Sequence, residues 1–254
     1  MKIAGSVALV TGANRGLGRA FARELVERGA STVYAGARNP DTITDPGVVP
    51  LKLDITDPDD VRRVAARCTD LTLLVNNAGT IHPNTFLTSP DLDGARDEMA
   101  TNYFGTLAMC RAFAPVLGTN GGGGIVNMLS VLSFISLPHL SGGYCASKAA
   151  AWSMTNALRV ELSRQQTQVV AVHAGYIDTD MAQGIDEPKI APELVAAGAF
   201  DALEAGLEEY LADDTSRGVK SALSNDLTAL YPSIRDQWDA ANLHLQGAAR
   251  RADM

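Results

Sequence analysis

A doubly wound α/β fold, with a parallel sheet and helices on both faces, is the architecture this sequence predicts. Three observations predict it. Short continuous apolar runs alternate with longer segments of helical periodicity. A glycine-rich run follows the first apolar run directly. No internal repeat and no Pro- or Ser-rich linker divides the 254 residues, so one large α/β domain is expected. Within it, two parts are expected, about residues 1–120 and about 121–254.

The elements read in order as follows. Val7 to Val10 is a buried-strand signal, and Leu17 to Arg28 is a helix stopped by Gly29. Thr32 to Ala35 and Val48 to Leu53 are further strands. Pro58 to Arg67 is a helix with Asp57 as its cap. Leu71 to Val75 is a strand, followed by one long helical stretch from Asp91 to Leu117. Gly121 to Gly124 is a turn and Ile125 to Leu129 a strand. Tyr144 to Ser163 is helical, and Gln168 to His173 is a strand. The remainder reads as helix, chiefly Pro192 to Leu211 and Ser233 to Ala249. Unbroken apolar strands interleaved with helices call for a Rossmann-like sheet buried on both faces.

Composition narrows the function classes. The hydrophobic fraction is 46% and the charged fraction 20%, as in globular domains of ordinary composition. A net charge of −8 argues against nucleic acid or an anionic membrane as partner. No signal peptide precedes the first strand and no apolar run reaches membrane-spanning length, so a cytoplasmic protein is expected. Cys68, Cys110 and Cys145 are scattered and odd in number, which fits a reducing compartment and argues against a zinc site. His82, His139, His173 and His244 are dispersed, and no metal is expected.

The run Thr11-Gly-Ala-Asn-Arg-Gly-Leu-Gly18 sits where the first strand turns into a helix. Glycines there permit a tight turn and close approach of the backbone to a pyrophosphate. The helix N-terminus adds unpaired N–H groups and a positive dipole end. NAD-binding folds usually carry an acid after the second strand to hold the ribose hydroxyls. This chain has Arg38 there instead, and Arg15 inside the glycine run. Two guanidinium groups suit a 2′-phosphate, so NADP(H) is expected over NAD(H).

Tyr144 and Lys148 lie four residues apart, which puts them on one face of a helix. A phenol titrates near about 10, too high for acid–base work at neutral pH. A neighbouring ammonium favours the phenolate, so Lys148 is expected to lower the pKa of Tyr144. Between Ser130 and Tyr144 the chain carries Leu132, Phe134, Ile135, Leu137 and Pro138, with His139 at the edge. These residues, with Ile81, His82, Pro83 and Tyr176, are candidates for the substrate wall; core packing is the competing account of Phe134 and Leu137. With no Arg or Lys among them, a neutral, fairly apolar ketone or aldehyde is the expected substrate.

Together these residues resemble the short-chain dehydrogenase/reductase superfamily, in its branch of about 250 residues. The resemblance covers about residues 5–181 and rests on six ordered pieces: Thr11-Gly with Gly16 and Gly18, Asp54-Ile55, Asn76-Asn-Ala-Gly79, Asn102, Ser130, and Tyr144 with Lys148. It implies reversible reduction of a carbonyl by NADPH, as in an NADP-dependent carbonyl reductase or alcohol dehydrogenase. Tyr144 would be the general acid/base. Ser130 would bind the carbonyl oxygen, with Ser133 as its competitor. Asn102 would hold a relay water; back-bonding to its own helix is the alternative. Lys148 would bond the nicotinamide ribose, and Tyr144 would also contact the cofactor.

The resemblance also implies the cofactor set. Gly12, Asn14, Arg15, Gly16, Leu17 and Gly18 form the phosphate turn, with Arg38 at the adenine ribose. Asp54 and Ile55 touch the adenine. Asn76, Ala78 and Gly79 close the cleft, and Gly175, Ile177 and Thr179 follow the sixth strand. There the family's Pro-Gly is replaced by Ala174-Gly175, which removes a fixed φ and implies a more mobile loop and a less secure Thr179 contact. The family's last strand, with its Asp-Gly-Gly run, is not recognisable, so that strand is expected to be missing. The family implies a homodimer or homotetramer, and the missing strand bears on the tetramer. Two other readings stay open: an NADP-binding regulator without turnover, and an epimerase or dehydratase using the same Tyr/Lys chemistry.

Overall fold

The computed structural model describes residues 1–82 and 85–240, with all side chains in them except those of 139–141. Seven strands are β1 (Val7–Thr11), β2 (Thr32–Ala37), β3 (Val49–Lys52), β4 (Leu73–Asn76), β5 (Gly123–Met128), β6 (Thr167–His173) and β7 (Glu209–Leu211). They form one sheet in the order β3-β2-β1-β4-β5-β6-β7, and every pairing is parallel. The helices are α1 (Gly16–Glu27), α2 (Pro58–Arg67), α3 (Asp93–Glu98), α4 (Thr106–Thr119), α5 (Pro138–Glu161), α6 (Pro192–Glu204), α7 (Asp214–Ala222) and α8 (Asp226–Ala229), with a further helical stretch over 231–240.

The central strands β1 and β4 are mainly apolar and buried because both faces are covered. Successive side chains alternate between two cores. Ala8, Val10, Leu73, Val75, Val170 and Val172 enter the core beneath α1 and α6. Leu9, Leu74 and Val169 enter the core beneath α2, α4 and α5. The first core is centred on Phe21 and Phe200, fully buried and edge-to-face with centroids 5.4 Å apart. Asp57 caps α2 as expected, accepting from Asp59 N at 2.8 Å.

Two expectations need correction. The long helix from Asp91 to Leu117 is divided. Between α3 and α4, residues Met99–Gly105 form a π-helical segment, a wider turn often found at functional sites. The C-terminal part is not all helix, and the last strand is present. Gly206, at φ +75°, takes the left-handed conformation just past α6. Gly206 N donates to Leu203 O (3.2 Å) and Leu207 N to Ala202 O (2.9 Å), which ends the helix. Residues 209–211 then pair with β6, Ala171 opposite Glu209. Three residues reading Glu-Tyr-Leu carry too little apolar alternation to announce a strand, and the exposed edge of β6 supplies the pairing. The Ser233 to Ala249 expectation holds through residue 240; its remainder lies outside the described residues.

Beyond β1 the sheet grows in opposite directions, through β2 on one side and β4 on the other. Such a switch opens a crevice at the carboxyl ends of the strands. Phe200→Ala should cost about 3–5 kcal/mol by removing the centre of the first core, read from denaturant unfolding.

Candidate active site

The glycine turn is built from contacts that a Cβ would break. Gly12 and Gly16 have φ +66° and +49°. A Cβ on Gly12 would lie 3.0 Å from Ala78 Cα, and one on Gly16 3.2 Å from Thr179 Cγ2. One on Gly18 would overlap the carbonyl oxygen of Gly12, so α1 can start against the turn only with glycine there. Thr11 Oγ1 accepts from the backbone N–H groups of Asn77 and Ala78, each at 3.0 Å. Asn77 Nδ2 donates to Thr11 O at 3.0 Å, tying β4 to the turn. Asn77 was visible only as part of its motif. The side chain of Asn76 turns inward, donating to Asn127 Oδ1 (2.9 Å) and Cys110 Sγ (3.2 Å), so it is Asn77 that reaches the turn.

The remaining cofactor candidates lie around this cleft. Arg38 is exposed just past β2, and the exposed Arg15 pairs with Asp180 at 3.3 Å. Asn14 is half-buried in the turn, and Leu17 is buried in the core below it. The carboxylate of Asp54 accepts from Thr56 N and Oγ1 (2.9 and 2.7 Å), and Ile55 packs on Gly105. Gly79 lies on the floor, where a Cβ would stand 3.0 Å from Asn102 Oδ1 and 3.7 Å from Lys148 Nζ.

The loop after β6 is fastened by hydrogen bonds at both ends. Gly175 N donates to Asp213 Oδ2 at 2.6 Å, and Asp213 also caps α7 by accepting from Ser216 N at 2.7 Å. Ile190 N donates to Tyr176 O and Asp178 N to Ile190 O, both at 2.9 Å, which pins the segment around Ile177. Thr179 lies against Gly16, as the glycine contact shows. Asp213 escaped sequence reading, although an Asp preceding a helical run is a recognisable cap signal.

Ser130, Tyr144, Lys148 and Asn102 are all nearly buried, and the fold gathers them at the carboxyl ends of β4 and β5. The Ser130 and Tyr144 hydroxyls lie close enough for the serine to favour the phenolate. Ser130 Oγ also accepts from Leu132 N at 3.1 Å, while the competing Ser133 is used as a cap, its Oγ accepting from Ser130 N at 3.2 Å. Asn102, in the π-helical segment, is not back-bonded to its own helix. Its amide donates to Thr80 O and Ser147 Oγ, both at 2.9 Å, and its carbonyl accepts from Thr80 N at 2.8 Å. Ser147 in turn donates to Tyr144 O at 2.8 Å, so the segment is joined to α5 beside the tyrosine.

The electrostatics correct one expectation. Burial pushes the Tyr144 phenol up to about 12; the Ser130 hydroxyl opposes this, and Cys145 and Glu98 add to it. The Lys148 Nζ donates to Met128 O at 2.8 Å and lies 5.6 Å from the tyrosine ring centroid. Burial draws Lys148 itself down to about 8. Glu98 is fully buried one turn before Asn102 and accepts from His82 N at 2.7 Å. Nothing in the sequence singled it out.

The apolar wall is partly as expected. Leu132 packs with Tyr144, Cys145 and Val219, and Ile81, Ile135, Leu137 and Leu230 adjoin them. Phe134 instead stacks on His173 with centroids 4.1 Å apart and meets Trp152 edge-on, so its ring is spent in packing. Tyr176 is half-buried in the loop after β6. His139 lies in the first turn of α5, but its side chain and residue Pro83 fall outside the described residues.

Residues 6–190 match the family model described as short chain dehydrogenase. The chain belongs to the short-chain dehydrogenase family. A crystal structure of a short-chain dehydrogenase from Burkholderia cenocepacia J2315 in complex with NADP is 43% identical, with a TM-score of 0.88 over 92% of this chain and 99% of that one. A sorbitol dehydrogenase of Cereibacter sphaeroides is 34% identical over 73% of this chain and 76% of its own length. An 11-beta-hydroxysteroid dehydrogenase A of Sesamum indicum is 33% identical over 72% of this chain; the match spans 55% of that relative's length. In this short-chain dehydrogenase no helix among the described residues is long and apolar enough to cross a membrane. No cluster of potential metal ligands occurs among them either.

In the cofactor-free protein, the difference between wild type and Tyr144→Phe should show no tyrosinate absorbance below pH 10. Ser130→Ala should move the ionisation further up, because the Ser130 hydroxyl is what favours the phenolate.

Proposed function

We propose that this chain is an NADP(H)-dependent reductase that converts a neutral, fairly apolar ketone or aldehyde to the alcohol, reversibly. The observation that carries the reading is the gathering of Ser130, Tyr144, Lys148 and Asn102 in one nearly buried site at the carboxyl ends of the strands. The first half of the chain, about residues 1–120, holds the dinucleotide, and the second half carries most of the catalytic and substrate-facing groups. The turn fits a dinucleotide, since Gly12 and Gly16 take left-handed conformations where β1 passes into the N-terminus of α1.

The residues divide the work. Gly12, Asn14, Gly16, Leu17 and Gly18 bind the pyrophosphate turn, with Asp54, Ile55, Ala78 and Gly79 along the adenine and ribose side. Gly175, Ile177 and Thr179 take the nicotinamide side. Arg15 and Arg38 take the 2′-phosphate, and the NADP complex of the Burkholderia relative supports that preference. When bound, the reduced nicotinamide supplies a hydride. Ser130 and Tyr144 donate to the carbonyl oxygen as negative charge develops; one such donor is typically worth about 2.7–4 kcal/mol. Tyr144 passes its proton to that oxygen, a contribution of roughly 10²–10⁴ in rate. Lys148, one turn away on α5, orients the nicotinamide ribose. Asn102 anchors the segment through which a water can resupply Tyr144.

Leu132, Ile81, Leu137 and Val219 around Tyr144 support an apolar substrate. A cytoplasmic homo-oligomer, a dimer or tetramer, completes the reading.

Tyr144→Phe should lower kcat by about 10²-fold or more with NADPH affinity within a factor of three, read from NADPH absorbance and fluorescence titration. Near-wild-type turnover would remove Tyr144 from the mechanism. The ratio of kcat/KM should favour NADPH over NADH by at least about tenfold, and Arg38→Ala should erase most of that margin, each tenfold being about 1.4 kcal/mol. A panel of carbonyl compounds in which only carboxylated or phosphorylated members react would overturn the substrate class.

A further inference from the structure

His173, at the end of β6, is fully buried yet takes no part in the chemistry above. Its ring is sandwiched by apolar neighbours: Phe134 stacks at 4.1 Å and Trp152 meets it edge-on at 6.2 Å. A phenylalanine would satisfy that packing. The polar edges need another account.

His173 Nδ1 lies 3.0 Å from the backbone carbonyl oxygen of Ser130. A carbonyl only accepts, so Nδ1 carries the proton and donates. Ser130 is thereby gripped on both sides, its N–H by Ser133 Oγ at 3.2 Å and its C=O by His173. The other ring nitrogen, Nε2, has no hydrogen-bond partner among the described residues. It faces Glu209 Oε1 at 3.6 Å, and that oxygen accepts from Lys220 Nζ at 2.8 Å. Lys220 Nζ lies over the rings of Phe134 and Trp152, 4.7 and 4.8 Å from their centroids.

We propose that His173 is a positioning residue for Ser130, and that the Glu209–Lys220 pair of β7 and α7 keeps it neutral with its proton on Nδ1. Every element around the imidazole bears on this. The Ser130 carbonyl and Glu209 favour a second proton, while Lys220 and Arg159 of α5 oppose it, and burial opposes it most. Together they hold the ring down at about 4, so it is neutral at any ordinary working pH. With the lysine in place, the carboxylate is compensated and draws no proton onto Nε2. Without it, Glu209 would be free to pull His173 into the imidazolium form, which would pivot toward the carboxylate and loosen the Ser130 carbonyl. The inference rests on Ser130 being the serine that meets the substrate oxygen.

The test uses His173→Leu, His173→Asn, Lys220→Met and Ser130→Ala in the full chain. Kinetics are read with NADPH and the carbonyl compound that wild type reduces fastest. His173→Leu should lose at least tenfold in kcat with the KM for NADPH within threefold. His173→Asn, whose amide can donate in place of Nδ1, should recover most of that loss. Imidazole NMR of the cofactor-free protein should show His173 untitrated above pH 5 in wild type. Its midpoint should rise by at least one unit in Lys220→Met, with an acid limb in kcat rising alongside.

An unmoved midpoint in Lys220→Met overturns the role of the ion pair. A His173→Asn variant as slow as His173→Leu, both binding NADPH normally, overturns the positioning role. Should His173→Leu fail to fold, His173→Asn against wild type and the Lys220→Met titration decide, since both keep a polar group at 173. Ser130→Ala at wild-type kcat would fail at a different point, removing the catalytic serine itself and the inference with it.

Discussion

Everything in this molecule depends on covering both faces of a parallel sheet. The central parallel strands are buried on both faces, so α1 and α6 close one side and α2, α4 and α5 the other. The alternation that sends Ala8 and Val10 one way and Leu9 the other leaves the strand interiors no room for chemistry. Reactive groups must gather where the strands stop. They do so at the carboxyl edge, around the switch between β1 and β4, which also gives a dinucleotide its cleft.

At that edge, close approach is secured by small residues and fixed by polar side chains. Glycines at 12, 16, 18 and 79 let backbone lie where a Cβ would meet Ala78, Thr179, the Gly12 carbonyl and Asn102. Thr11 and Asn77 then lock the glycine turn to β4, and Asp213 locks the turn after β6 to α7. Asn102 reaches across to Thr80 and Ser147 from the π-helical segment. Positioning here is a matter of many short polar contacts around a rigid apolar frame.

The reactive pair shows why proximity in sequence is not proximity in charge. Tyr144 and Lys148 share a helix face, and the lysine donates one N–H to the Met128 carbonyl. Burial dominates both groups and moves them apart, tyrosine up to about 12 and lysine down to about 8. Ser130 is the group that favours the phenolate, so the serine both meets the tyrosine and tunes it. A buried site of this kind keeps the Tyr144 phenol protonated.

The sequence by itself determined the sheet, its alternation with helices, the glycine turn and the spacing of Ser130, Tyr144 and Lys148. These are local properties: apolar periodicity, glycine where φ must be positive, and residues four apart on a helix. Tertiary structure decided the rest. It made a strand of residues 209–211 because β6 had an open edge, and it broke the long helix at Met99–Gly105. It chose Asn77 over Asn76 to clamp the turn, and turned Phe134 onto His173. It also set the protonation of the site, since desolvation depends on what the whole chain folds around a group and has no signature in the residues beside it.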